Sequence, residues 1–200
     1  MCGIAGIYGF SDKTKARETL AGMAKAMGHR GPDAHGLFVK ESIALAHQRL
    51  SIIDLSHEAD QPMTDASGRF TIVFNGEIYN YRELRKMLRD YPFRTESDTE
   101  VLLAGLATYG ISFVKECNGM FAFALWDAKD EKLYLCRDRM GIKPLYYLRR
   151  NEEIFFGSEI RTLLSGVSSK PRLNREVLPE YLRFQTVHGP ATILEGVFSL

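Results

Sequence analysis

Cys2 stands one residue behind the initiator methionine, a position that offers a chemistry no internal cysteine has. Methionine aminopeptidases remove Met1 when the next side chain is small, and the mature chain then begins with a thiol and a free α-amine on one residue. An α-amine titrates near ~7.8 against ~10.4 for a lysine amine, so about a tenth of it is neutral at pH 7. A thiol near ~8.5 is only a few per cent thiolate at that pH and gains from an adjacent base. Nucleophile and base would thus come from the same residue. Taken alone, Cys2 reads equally as a free cysteine at a frayed chain end.

Other residues bear on that choice. Asn75-Gly76-Glu77 follows the apolar run TIVF. Attack of a thiolate on a carboxamide drives negative charge onto the carbonyl oxygen, which needs donors already aimed at it. Asn75 can supply a side-chain amide, and Gly76 a backbone N–H with no side chain in the way. The same Asn-Gly pair is also the commonest hairpin signal, so a turn ending the strand is the competing expectation. Arg49 ends the segment ALAHQ, where a guanidinium can fork onto a carboxylate; the ordinary reading is a surface arginine. Asp98 opens a helical stretch, where its default work is N-capping and its alternative is to bind an ammonium group.

These residues must be held by the elements around them. GIAGIYGF (3–10) is a Gly-interrupted strand, and 14–27 a helix with Leu20, Met23, Ala24 and Met27 on one stripe. HRGPDAHG (29–36) reads as a loop. Strands are expected within 42–54 and 69–80. Helices are expected over 81–90, with Asn80 as cap, from Asp98 through Tyr109, and over 111–117. GMFAFALWD, KLYLCRD, LYYLRR and EIFFGSE read as strands, the first two joined by the charged turn AKDEK. Several strands are apolar on both faces, which predicts two antiparallel sheets stacked between helices. Asn174 predicts a helix to Phe184, bent at Pro179, and GVFSL at the end reads as a strand.

Composition narrows the classes. The 200 residues carry 26 basic against 25 acidic side chains, a net charge of +1, so nothing points to nucleic acid or an anionic membrane. No signal-peptide pattern opens the chain, and no run reaches the ~18 apolar residues of a membrane span. The three cysteines, Cys2, Cys117 and Cys136, have no metal spacing and imply a reduced, cytoplasmic protein. His29, His35, His47, His57 and His188 likewise share no metal-ligand spacing; His29 is expected to order the HRGPD loop. Met120, Phe121 and Phe123 read as packing residues or as the walls of an ammonia path, and Arg137, Asp138 and Arg139 as an ion-pair network ordering GIKPLYY.

Seven segments in order, MCGIAGIYG, HRGPDAHG, AHQRLSIID, VFNGEIYNYRELR, SDTEVLLA, GMFAFALWD and RDRMGIKPLYY, resemble class II glutamine amidotransferase domains. HRGPD, RLSIID and GMFAFALWD together are most similar to the glutaminase domain of glutamine-hydrolysing asparagine synthetases. The resemblance implies an α+β fold, the N-terminal-nucleophile hydrolase sandwich of four layers (αββα). It implies that Cys2 attacks the side-chain amide of L-glutamine, with Asn75 and the Gly76 N–H as oxyanion hole. Arg49 would hold the α-carboxylate, Leu50, Ser51, Ile52 and Ile53 would line the pocket, and Glu77 and Asp98 would receive the α-ammonium. No cofactor or metal is expected within 1–200. ATP and Mg²⁺ are expected in a synthetase domain following Leu200, since no Ser-Gly-Gly-x-Asp-Ser loop occurs here. The resemblance also allows a homodimer. The alternatives are the same domain serving another amide-transferring enzyme, or a silent binding module of the same fold.

Overall fold

A computed structural model describes residues 1–200. The strands are β1 (Gly3–Tyr8), β2 (Ala34–Lys40), β3 (Ile43–Arg49), β4 (Met63–Thr64), β5 (Phe70–Ile78), β6 (Gly119–Asp127), β7 (Lys132–Arg137), β8 (Tyr146–Arg150), β9 (Glu153–Gly157) and β10 (Val197–Ser199). The α-helices are α1 (Lys13–Ala26), α2 (Tyr81–Met87), α3 (Asp98–Tyr109), α4 (Ile160–Gly166) and α5 (Leu178–Phe184). One sheet has six strands in the order β10-β8-β9-β1-β3-β2, the other four in the order β4-β5-β6-β7, and every pairing is antiparallel.

Three apolar cores separate four layers. Leu20, Met23 and Met27 of α1 and Leu163 of α4 pack on Ala5, Ile7, Ala44 and Ala46 of the larger sheet. Ile4, Ile43, Leu45 and Phe156 of that sheet meet Val73, Ala122, Ala124 and Trp126 of the smaller one. Behind the smaller sheet, Ile72, Phe74, Phe123 and Leu125 face Leu84 of α2, and Val101, Leu102 and Leu106 of α3. Successive strand residues point to opposite faces, so β1, β3 and β5 each feed two cores. That is why their sequences are apolar throughout. Full burial of one Leu, Ile or Phe side chain contributes roughly 1.5–3 kcal/mol, and the inter-sheet core is what holds the sheets face to face.

Several expectations need correction. Ala34–Lys40, half of it read as loop, is an edge strand paired along its length with β3; Gly and His in its first half mask the alternation. Helix α4 and the short β4 had no clear periodicity. The helical piece expected over 111–117 is a 3-10 helix, Ile111–Glu116. Asn80 precedes α2 without capping it, because its side chain instead bridges the Glu116 carbonyl and the Asn118 N–H at 2.9 Å each. Pro179 bends nothing. Asn174 caps a 3-10 turn, and a separate α5 begins with Pro179 in its first turn, where the missing N–H is no loss. Arg137, Asp138 and Arg139 form no ion pair. Arg137 donates to the Lys143 and Gly141 carbonyls, and Asp138 accepts from the Phe121, Ile142 and Lys143 N–H groups. The segment is clamped by its own backbone.

Candidate active site

The period of two along each strand brings the chemistry together. Ile4 faces the inter-sheet core, so Cys2, two residues earlier, faces the same way. Ile43 and Leu45 put His47 and Arg49 on that face of β3, and Val73 does the same for Asn75 and Glu77 on β5. At this end of the sandwich lies a cavity of about 220 Å³ lined by Cys2, Arg49, Asn75, Gly76, Glu77 and Asp98. Leu50, Ile52 and Ile53 line it too, but Ser51 does not. The Ser51 N–H is turned to Asp33 at 2.8 Å, fixing the loop from outside.

Cys2 is held although it lies at the chain start. Its carbonyl accepts from Arg30 Nε at 2.8 Å, and Arg30 is itself held by Glu159 at 2.9 Å, which also takes His29 Nε2. His29 therefore ties the HRGPD loop to the end of β9. The Leu50 N–H lies 3.4 Å from Cys2 Sγ. Burial pushes the thiol's pKa up, and the Leu50 contact, the positive chain terminus and Arg49 offset part of that. Burial thus disfavours the thiolate.

Asn75-Gly76 is not a turn. β5 runs through both residues to Ile78, and β6 opposite pairs Ala122 with Asn75 and Phe121 with Gly76. Nine residues of cross-strand pairing outweigh the local turn preference of the dipeptide. Asn75 is 1 % exposed, and its Nδ2 has no hydrogen-bond partner. Backbone N–H groups alternate in direction along a strand. The Phe74 and Ile78 N–H groups point away from β6, into the Gln61 and Asp98 side chains, so the Gly76 N–H between them points away from β6 as well. A Cβ at Gly76 would lie 2.5 Å from the Met120 carbonyl oxygen, so only glycine permits this approach of the strands.

Arg49 is buried rather than a surface residue. Its Nη1 donates to the Ser56 carbonyl at 2.8 Å and to Asp60 at 2.6 Å, and its Nη2 to the Asp54 carbonyl. Of the five guanidinium N–H groups, these contacts use three, and Nε–H and one on Nη2 remain. Asp98 does not cap α3: Ser97 does, accepting from the Glu100 N–H. Asp98, one residue on, turns inward and accepts from the Ile78 N–H at 2.9 Å. Burial, with Glu77 nearby, pushes its pKa up to about 6.

Sequence reasoning passed over Gln61, Thr99 and Lys143, all of which line the cavity. Met120, read as packing or as the wall of an ammonia path, lines the cavity as well, and Lys143 lies in a segment read as structural. Met1 lies at the same cavity, its Sδ 3.4 Å from Lys143 Nζ. No group of three or more His, Cys, Asp or Glu side chains is arranged to hold a metal ion, and no helix is long and apolar enough to cross a membrane. Cys117 is buried and Cys136 half-buried in the core behind the smaller sheet; burial pushes the Cys117 thiol up to about 12.

Comparison with known proteins agrees with this architecture. The sequence pattern of the family described as glutamine amidotransferase domain matches residues 1–200. Asparagine synthetase [glutamine-hydrolyzing] 1 of Bacillus subtilis is 39% identical over 198 residues, covering 96% of this chain and 31% of the relative. The putative asparagine synthetase [glutamine-hydrolyzing] 2 of Methanocaldococcus jannaschii is 37% identical, covering 100% of this chain and 42% of its own length. The chain thus spans less than half of each. Among solved structures, the glutamine phosphoribosylpyrophosphate amidotransferase of B. subtilis superposes with a TM-score of 0.70 at 20% identity, over 82% of this chain and 43% of that one. At that identity the likeness concerns the fold alone, two antiparallel sheets stacked between helices. The chain belongs to the glutamine amidotransferase domain family.

Proposed function

We propose that the domain releases ammonia from L-glutamine, with Cys2 as nucleophile, for a glutamine-hydrolysing asparagine synthetase of the cytoplasm. The observation that carries this reading is one cavity holding the Cys2 thiol, a buried Asn75 amide without a partner and a bare Gly76 N–H. Once Met1 is removed, the Cys2 α-amine takes the thiol proton and Sγ attacks the glutamine side-chain carbonyl. The resulting oxyanion is met by Asn75 Nδ2 and the Gly76 N–H, donors in place before the charge develops. The C–N bond then breaks, the leaving amine takes the proton from the α-ammonium, and a thioester remains. Water, deprotonated by the same amine, attacks the thioester and frees glutamate. Arg49 holds the substrate carboxylate, Glu77 and Asp98 its ammonium, and such polar contacts select far more sharply than an apolar pocket.

The asparagine synthetase assignment rests on relatives at 37–42% identity. In it, ammonia passes to a synthetase domain that amidates aspartate, and ATP and Mg²⁺ belong to that domain. The test uses chain verified by intact mass to lack Met1. It should release glutamate from glutamine, whereas Cys2→Ala and a Met1-retaining sample should not. Normal turnover by either would refute the nucleophile or the amine.

A further inference from the structure

The edge of β5 beside the cavity has no strand partner. β4 pairs with it only at Ile72 and Thr71, and an unpaired edge exposes backbone N–H and C=O groups in a row. Beyond Ile72, three side chains stand in for the missing strand. Gln61 Oε1 accepts from the Phe74 N–H at 2.6 Å, His47 Nε2 lies 3.0 Å from the Phe74 carbonyl, and Asp98 takes the Ile78 N–H. They bracket Gly76 on both sides and leave its N–H bare.

His47 is fully buried, and burial pulls its pKa down to about 4, so it is neutral. A carbonyl can only accept, which places the single ring proton on Nε2. Its Nδ1 is buried with no partner, a cost that a leucine in the same core would avoid. The ring starts on β3, the strand that carries Arg49 and pairs with β1, and ends on the residue before Asn75. Gln61 performs the complementary task, its Nε2 donating to Thr99 Oγ1 at 3.2 Å, next to Asp98.

Resting on the proposed glutaminase site, we infer that His47 and Gln61 are positioning residues that fix the oxyanion donors Asn75 and Gly76 relative to Cys2, substituting for an edge strand whose presence would cover the Gly76 N–H. Neither touches the substrate's reacting atoms; both act through Phe74.

The experiment uses full chain lacking Met1, with His47→Leu, His47→Gln and Gln61→Met. Hydrolysis and inhibition by glutamate γ-semialdehyde, whose thiohemiacetal needs the oxyanion donors, are compared with alkylation of Cys2 by iodoacetamide, which displaces iodide at a saturated carbon and does not. His47→Leu and Gln61→Met should lower kcat about 10- to 100-fold, the scale of a misplaced catalytic group. KM should stay near wild type, semialdehyde inhibition should weaken in parallel with kcat, and the alkylation rate should hold. His47→Gln keeps a terminal N–H donor and should recover most of the loss. Wild-type kcat in both His47→Leu and Gln61→Met, alkylation falling in step with hydrolysis, or His47→Gln no better than His47→Leu would each overturn the inference. Should His47→Leu fail to fold, Gln61→Met decides alone. Failure of the underlying site is separate, since it shows as an active Cys2→Ala protein.

Discussion

Asp98 is a carboxylate in the cavity wall whose charge costs more in the folded chain than in the unfolded one, and replacing it by asparagine should strengthen the empty domain while crippling it. Its pKa of about 6, against an ordinary 3.8, already includes the hydrogen bonds from Ile78 and Thr99 that favour the ionised form. A gap of about 2.2 at ~1.36 kcal/mol each is roughly 3 kcal/mol of net cost for keeping the charge at neutral pH. Below about pH 3.8 the group is protonated folded and unfolded, and no cost exists. As pH rises towards about 6 the native state holds a proton that the unfolded state has lost, so this group's contribution to stability falls and then levels off. The advantage of Asp98→Asn should therefore be near zero at pH 4 and complete by pH 7. With ~2–4 °C per kcal/mol for a chain of this size, it should reach up to about 6–12 °C in Tm. Thermal unfolding from pH 4 to 8, with and without glutamine, measures it. Glutamine should raise the Tm of the wild type and not of the variant, because the charge is proposed to receive the substrate ammonium. A variant no more stable at pH 7, or one whose advantage is flat with pH, would refute the reasoning.

Asn75→Ala should lose roughly 2.7–4 kcal/mol of transition-state stabilisation, a 10²–10³-fold fall in kcat with KM little changed. Since Asn75 Nδ2 has no partner in the free protein, unfolding should show no matching loss of stability; a large Tm drop would mean that the amide is structural. Arg49→Lys keeps the charge but cannot serve Ser56, Asp54 and Asp60 together with a substrate carboxylate. The KM for glutamine should rise at least about tenfold, given ~1.5–3 kcal/mol for a charge-assisted hydrogen bond, and limited proteolysis should cut within residues 50–60. Unchanged KM would place the carboxylate elsewhere.

Strands whose residues alternate between two cores were legible because burial on both faces leaves an unbroken apolar run, as in GMFAFALWD. The site residues were legible by type, from Cys2 behind a removable methionine to the acid at the head of α3. Their company was not, because it depends on pairing between distant strands. Asn75-Gly76 carries a local turn signal, and only the long register with β6 shows that it lies mid-strand. Asp98 looked like the cap because it is the first acid of the helix; Ser97, one residue earlier, takes that role, and Asp98 turns inward. Gln61 left no trace, since a side chain replacing a strand has no periodicity.

The two sheets each have a private core with their own helices, and share the third. Cys2 and Arg49 ride on one sheet, Asn75, Gly76 and Glu77 on the other. A molecule with either half ordered and the shared core unclosed would own the Cys2 thiol without the proposed oxyanion donors, or the reverse. Hydrolysis of glutamine is then a certificate of assembly: refolding monitored by glutamate release should lag recovery of secondary structure and coincide with burial of Trp126, the large ring at the centre of the shared core.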